Sequence, residues 1–277
     1  MAYNTLSLPN KDNQKLFIHH WPVAEPKAQL FMVHGYAEHG YRYEHVARAL
    51  NDAHIEVYAY DQRGHGRSEG LSAYIPSFDL MIDDLSDVLT KYISAAIPSF
   101  LFGQSMGGLV AVKYSIERKE STALSGLITT GAALKIDKDL SPLLQMFAPI
   151  LGKIAPKMKT TPLEITTLTR SAEELEKYEN DPLVYRQGTR ARTGAELLSA
   201  IKELEPKFPQ LSLPYLGMHG LAEKIADPVG TKELHRLAKS TDKTIKLYEG
   251  LYHELVNEPE RDGVIDDIKE WIIDRSK

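Results

Sequence analysis

The sequence predicts an α/β protein built on one mostly parallel sheet with helices on both faces, and three observations carry that reading. Short apolar runs alternate with amphipathic stretches along most of the 277 residues. The runs are apolar nearly throughout, as strands buried on both faces read. No polar, Gly/Ser-rich or Pro-rich tract is long enough to act as a linker, so a chain of this length forms one extended core.

Taken in order, "NTLSL" and "QKLFIHHW" alternate as an antiparallel opening hairpin would. The buried strands are expected at 28–35, 55–61, 99–104, 124–131, 213–220 and 243–250. Met81, Ile82, Leu85, Val88, Leu89, Tyr92 and Ile93 fall at helical spacing, with Ser77 as N-cap and Asp79, Asp83 and Asp84 near the positive end of the helix dipole. Val264, Ile268, Trp271 and Ile272 repeat the pattern at the C-terminus. From about Ala133 to Lys207 there is no strand signal. Ser141–Pro142 opens one helix there, and capping boxes at Ser171/Glu174 and Thr193/Glu196 open two more. This divides the chain into a core of 1–132 and 208–277 and a helical cap of 133–207. The cap's stripe of Leu143, Leu144, Phe147, Ile150, Leu151 and Ile154 is expected to pack down on the core, with a few residues lining an acyl-chain tunnel.

Composition excludes several functions. The net charge of -5 is spread along the chain, with no Lys/Arg cluster to hold a polyanion, so nucleic acid is not an expected partner. The N-terminus lacks the basic-then-apolar pattern of a signal peptide, and no run of about 18 apolar residues occurs; a soluble, cytoplasmic protein is expected. Zero cysteines exclude disulfides, thiolate catalysis and Cys-ligated zinc, and the ten histidines show no H-E-x-x-H spacing. No metal or cofactor is expected.

The chemistry is signalled first by "FGQSMGG", residues 102–108, between the strand "SFLF" and the helical "GLVAVKYSI". In that setting G-x-S-x-G is a nucleophile elbow: its glycines allow a tight turn that presents Ser105, and the Met106 amide at the helix N-terminus can hold an oxyanion. A serine hydroxyl needs a base. His253, in the loop after the last strand, stands at the same carboxyl edge of the sheet, where open α/β sheets bind ligands. A second oxyanion donor is expected from the Tyr36 amide after the "HG" turn at 34–35, with the His34 ring bracing that loop and taking no part in proton transfer.

"HGYAEHGYRY", "YDQRGHGRSEG", "GQSMGG", "DPLVY" and "YEGLYHELVNE", in this order and with helices between elbow and acid, resemble the monoacylglycerol lipase and lysophospholipase branch of the α/β-hydrolase superfamily. The resemblance covers almost the whole chain. It implies an eight-stranded, mostly parallel sheet, a lid over a hydrophobic tunnel, and hydrolysis of small lipid esters without a cofactor. It places Glu38 and Arg42 near the polar head of the substrate and Gln104 beside the glycerol moiety, and makes "DQRGHGRSEG" a structural loop held by Asp61 and Arg63. The family's acid is an aspartate in a pattern like "HGxxDxixDP"; this chain has "HGLAEKIADP", so Glu223 takes the acid's position. Asp227 precedes Pro228 and reads as a helix cap, remaining the fallback acid. The strand ending "ITTGAALKI" offers no carboxylate before Asp137. Glutamate is one methylene longer than aspartate, so the loop must retract or the side chain fold back.

The expectation is thus a Ser105–Glu223–His253 monoacylglycerol lipase. A lysophospholipase or short-chain carboxylesterase on the same machinery is the runner-up, and a ligand-binding protein that kept the hydrolase fold is the alternative of another class. Transient contact of the cap with membranes or micelles is also expected.

Overall fold

The computed structural model describes residues 2–136, 141–160, 162 and 164–276. Its strands are β1 (Asn4–Pro9), β2 (Lys15–Trp21), β3 (Ala28–Val33), β4 (Ile55–Tyr60), β5 (Ser99–Gln104), β6 (Gly126–Thr130), β7 (Tyr215–Gly220) and β8 (Lys243–Tyr248). They form one sheet in the order β1-β2-β4-β3-β5-β6-β7-β8. β2 runs antiparallel to β1 and β4, and every other pairing is parallel. The eight-stranded, mostly parallel sheet expected from the family is therefore the observed one.

Helices α1 (Glu44–Asn51), α2 (Phe78–Tyr92), α3 (Met106–Glu117), α7 (Pro228–Leu237) and α8 (Arg261–Asp274) cover the sheet. Two cores result. Phe31 and Val33 of β3 face one that includes Met81 and Leu85 of α2 and Val110 of α3, while Leu30 and Met32 face another with Val46 of α1 and Ile268 of α8. Alternate residues of one strand thus enter opposite cores, which is why residues 30–33 are an unbroken apolar run. Each such Leu, Val or Phe contributes roughly 1.5–3 kcal/mol on burial. β8 differs from expectation: paired with β7 alone, it is an edge strand and only half-buried along its length.

Between β6 and β7 lie α4 (Pro142–Ile154), α5 (Ala172–Asn180) and α6 (Ala191–Leu204), with no strand among the described residues, only an isolated bridge of Lys159 and Arg190. Asp137 lies outside the described residues, as does the side chain of Leu144. The Ser171 cap holds, its Oγ accepting from Glu174 N–H at 3.3 Å. The expected capping box at Thr193/Glu196 does not form. α6 starts at Ala191, two residues earlier, and both side chains reach across to another segment. Thr193 Oγ1 accepts from Ile75 N–H at 3.0 Å, and Glu196 Oε2 accepts from Phe78 N–H at 2.8 Å. Ser77 sits at the N-cap position of α2 without capping through its own side chain, because Glu196 does that work.

The stripe of α4 is a correction. Leu143, Phe147, Ile150 and Ile154 do not pack down; all are at least half exposed, Ile154 at 76%. α4 meets α6 through small residues instead. Ala148 is buried, and a Cβ on Gly152 would lie 2.8 Å from Ala195 Cβ. Close approach along the small-residue face turns the large residues outward. No helix among the described residues is long and apolar enough to cross a membrane.

Candidate active site

Ser105 stands between β5 and α3 with φ 52° and ψ −117°, a conformation that costs a non-glycine residue roughly 1–3 kcal/mol. The surroundings impose it. Ser105 N–H donates to Thr130 O at 3.0 Å, and Ser105 O accepts from Leu109 N–H and Ala133 N–H at 3.1 Å each. A Cβ on Gly107 would drive into the carbonyl oxygens of Val33 and His34, and one on Gly103 into Gly107, so both glycines permit the turn. The same closeness brings the end of β3 against the elbow. Ser105 Oγ caps nothing and makes no hydrogen bond to a described residue.

The loop after β3 is gripped by side chains. His34 Nδ1 donates to Gly35 O at 2.7 Å while Nε2 accepts from Gln62 N–H at 2.9 Å. Burial pushes the His34 pKa down to about 3, so the ring is neutral and braces the loop. Tyr36 and Met106 both line the cavity that holds Ser105, and neither amide donates to a described residue.

His253, buried in the loop after β8, donates from Nδ1 to Glu223 Oε2 at 2.7 Å. The glutamate folds back: Oε1 accepts from Lys224 N–H at 2.8 Å and Ile225 N–H at 2.6 Å, which absorbs the extra methylene within its own turn. Burial opposes the charge on Glu223, yet His253, His219 and the Ile225 amide hold its carboxyl well below the usual carboxylate range. Burial likewise opposes a charge on His253, but Glu223 overrides it and raises the imidazole above its ordinary value. Asp227 is the N-cap of α7, its Oδ1 accepting from Val229 N–H at 2.9 Å with Pro228 following, and among the described residues no hydrogen bond or ion pair joins it to His253.

Gln104 donates to His253 O at 3.2 Å and accepts from Thr130 Oγ1, so its amide links β6 to the backbone of His253. Glu38 accepts from Gly35 N–H at 2.6 Å, Tyr43 hydroxyl at 2.8 Å and Arg42 at 2.5 Å. Arg42 also donates both arms to Glu254, at 2.8 and 2.7 Å, and lies 4.8 Å from the Tyr178 ring of α5. Burial raises Glu38 above its ordinary value against the pull of Arg42, while Arg42 overrides burial at Glu254 and lowers it.

Three contributors escaped sequence reasoning. Glu254 was signalled only as an acid next to His253. His219, in "GMHG", donates from Nε2 to Ala226 O at 2.9 Å and lies 3.6 Å from Glu223 Oε2. Leu168 O accepts from Glu254 N–H at 2.8 Å, tying segment 133–207 to the His253 loop, and nothing in the sequence marks it. Farther off, donor atoms of His19, His39 and Asp61 lie within 4.8 Å of one another. The Asp61 carboxylate there already accepts from His19 at 3.0 Å and from Gly40 N–H and Arg67 N–H at 2.8 Å each, a bracing network for the "DQRGHG" loop.

Ser105 and His253 share a cavity of about 190 Å³, lined also by Leu168, Tyr178, Leu197 and Ile201 from segment 133–207 and by Ile225. Glu38 and Glu254 supply its polar wall. A buried serine at a strained turn, a histidine paired with a carboxylate and two uncommitted amides on one apolar cavity is the constellation of acyl transfer.

Comparison with known proteins agrees. Residues 24–260 match the hydrolase family described as serine aminopeptidase, S33. The chain is 36% identical to a monoglyceride lipase of Homo sapiens over 97% of its own length and 90% of the relative's. It superposes on a Paleococcus ferrophilus monoacylglycerol lipase with a TM-score of 0.83 at 26% identity, covering 99% of this chain and all of the other. A soluble variant of monoglyceride lipase from Saccharomyces cerevisiae, at 24% identity, shares the fold with a TM-score of 0.91, covering 100% of this chain and 97% of that one. The chain is therefore a serine ester hydrolase of the monoacylglycerol lipase type, a member of the serine aminopeptidase S33 family.

Proposed function

We propose that the protein hydrolyses monoacylglycerols through an acyl-enzyme, with Ser105 as nucleophile, His253 as base and Glu223 as the acid. What supports this reading above all is the 2.7 Å pair of His253 and Glu223 on the cavity that Ser105 shares. Ser105 Oγ attacks the ester carbonyl as its proton passes to His253 Nε2, the nitrogen not engaged by Glu223. The amides of Tyr36 and Met106 stabilise the tetrahedral oxyanion. Collapse expels the glycerol alkoxide, which takes the proton from His253. Water, deprotonated by His253, then attacks the acyl-enzyme and releases the fatty acid. Glu223 stabilises the imidazolium in both halves. No cofactor takes part.

Segment 133–207 acts as the lid in this reading, its apolar residues meeting the acyl chain. The cavity beneath it measures about 190 Å³. Glu38 and Glu254 face the glycerol end; Arg42 acts through them, its guanidinium being spent on both. Gln104 contributes by holding the base instead of touching the glycerol. The outward face of α4 reaches the lipid surface from which substrate comes, while the rest of the protein stays in the cytoplasm.

A fluorophosphonate probe tests the chemistry: labelling is expected in the wild type and lost in Ser105→Ala, and an unlabelled wild type would sink the reading. A chain-length series of monoacylglycerols against lysophospholipids and short esters tests the substrate. Faster turnover of lysophospholipids would move the assignment to that class.

A further inference from the structure

Across a trans peptide the C=O and N–H point opposite ways, so fixing one end fixes the other. The Gly35–Tyr36 peptide carries the Tyr36 N–H that the proposed mechanism aims at the oxyanion. Its other end, the Gly35 carbonyl, is held at 2.7 Å by His34 Nδ1–H. The tautomer that makes this possible is imposed from the far side of the ring. Gln62 N–H donates to Nε2 at 2.9 Å, leaving the proton on Nδ1, and Gln62 Nε2 donates to His34 O at 2.7 Å. The ring is fully buried and is not part of the cavity wall. It reaches neither substrate nor Ser105 Oγ.

The preceding N–H, that of Gly35, is taken by Glu38 Oε1 at 2.6 Å. Gly35 itself stands against the nucleophile; a Cβ built on it would lie 3.4 Å from Ser105 Cβ. A glycine leaves peptide rotation sterically open. Reversal of this peptide would turn a carbonyl oxygen toward the developing oxyanion, replacing a donor by a repelling acceptor.

We propose that His34 is a positioning residue: its hydrogen bond to the Gly35 carbonyl, with the tautomer set by the Gln62 amide, locks the polarity of the Gly35–Tyr36 peptide and keeps the oxyanion hole formed. This rests on the serine-hydrolase reading above. It gives the "DQRGHG" loop a part in catalysis, since its Gln62 amide determines which ring nitrogen can donate.

His34→Asn and His34→Leu test the lock, because the two side chains share a shape but only asparagine can place an N–H where Nδ1–H stands. Turnover of a soluble short-chain ester, the affinity of an alkyl boronic acid that forms a tetrahedral serine adduct, and substrate binding in a Ser105→Ala background are measured for each. Losing one oxyanion donor costs about 10²–10³ in kcat. His34→Leu is expected to lose about 10²-fold in kcat and in boronate affinity, with KM and binding to the Ser105→Ala form within about twofold, and His34→Asn to recover at least about tenfold. Equal losses in both variants, or a loss lying in KM, would overturn the proposal. Should the leucine variant not fold, ¹⁵N spectra of the wild-type ring decide: a neutral Nδ1–H tautomer persisting at pH 5 supports the lock, and an Nε2–H tautomer overturns it. A wild type that neither turns over ester nor labels with fluorophosphonate removes the hydrolase reading and this proposal together; the variant outcomes bear on this proposal alone.

Discussion

Glu223→Gln is the most informative substitution, because the geometry dictates more than the loss of a charge. Oε1 of Glu223 is fixed by the Lys224 and Ile225 amides at 2.8 and 2.6 Å. A glutamine must keep its oxygen there, so its NH₂ group takes the place of Oε2 and faces His253 Nδ1. The imidazole can meet that donor only by presenting a lone pair at Nδ1, which moves its proton to Nε2, the nitrogen that accepts from Ser105 in the proposed mechanism. The imidazolium also loses its counter-charge. With charge centres about 4 Å apart and an effective dielectric near 20, that is about 4 kcal/mol, or about 10³-fold in rate. Wrong-tautomer loss adds to it, so kcat/KM should fall about 10³–10⁴-fold. Residual activity should have its acidic limb at lower pH, since Glu223 raises the His253 pKa in the wild type. Asp227→Asn keeps a good N-cap and should leave kcat within about twofold and stability within about 0.5 kcal/mol. The assay is a pH–rate profile on a soluble chromogenic ester with parallel melting curves. A larger loss in Asp227→Asn than in Glu223→Gln would refute the reasoning.

Other consequences can be measured separately. Burial lowers the His65 pKa from 6.5 to about 4, so between those values the unfolded chain binds a proton that the folded one refuses, and stability falls as pH drops. At pH 5 this costs about 2 kcal/mol relative to neutral pH; His65→Asn should flatten the pH 7-to-5 difference in urea-unfolding free energy by that amount, and an unchanged difference would count against a buried neutral ring. Ser105→Gly removes the strain of φ 52° and should raise unfolding free energy by about 1 kcal/mol while abolishing turnover; a less stable variant would show that the turn stores no strain. Replacing Phe147 and Ile150 by Glu removes two outward apolar contacts of about 1.5 kcal/mol each. Vesicle binding should weaken about 10²-fold, with hydrolysis of soluble esters unchanged, and equal binding would remove α4 from the lipid contact.

The sheet was legible because its inner strands enter two cores, and that demand writes itself into the apolar runs 30–33 of β3 and 100–102 of β5. The elbow was legible because a strained turn restricts residue types within a few positions. Sequence was a poorer guide wherever the partner lies far along the chain. Arg42 and Glu254 meet across 212 positions, and Thr193 and Glu196, spaced like a local cap, serve residues 118 to 120 positions away. Periodicity in α4 reported that a stripe exists, not what it faces; Gly152 against Ala195 decided that. Which of the two ways Glu223 would fit could not be read, since it depends on the direction of two amides in its own turn.

The hydrogen bond from Glu254 N–H to Leu168 O ties segment 133–207 to the His253 loop, and under the proposed function it makes lid and base parts of one linkage. A substrate that prises the lid away must either break this bond or carry the base's loop along. On that reading, chain-length specificity and turnover are not independent design variables. A lid borrowed from a relative to change the acyl pocket will arrive with its own spacing at position 168, and will shift the histidine it was never meant to touch.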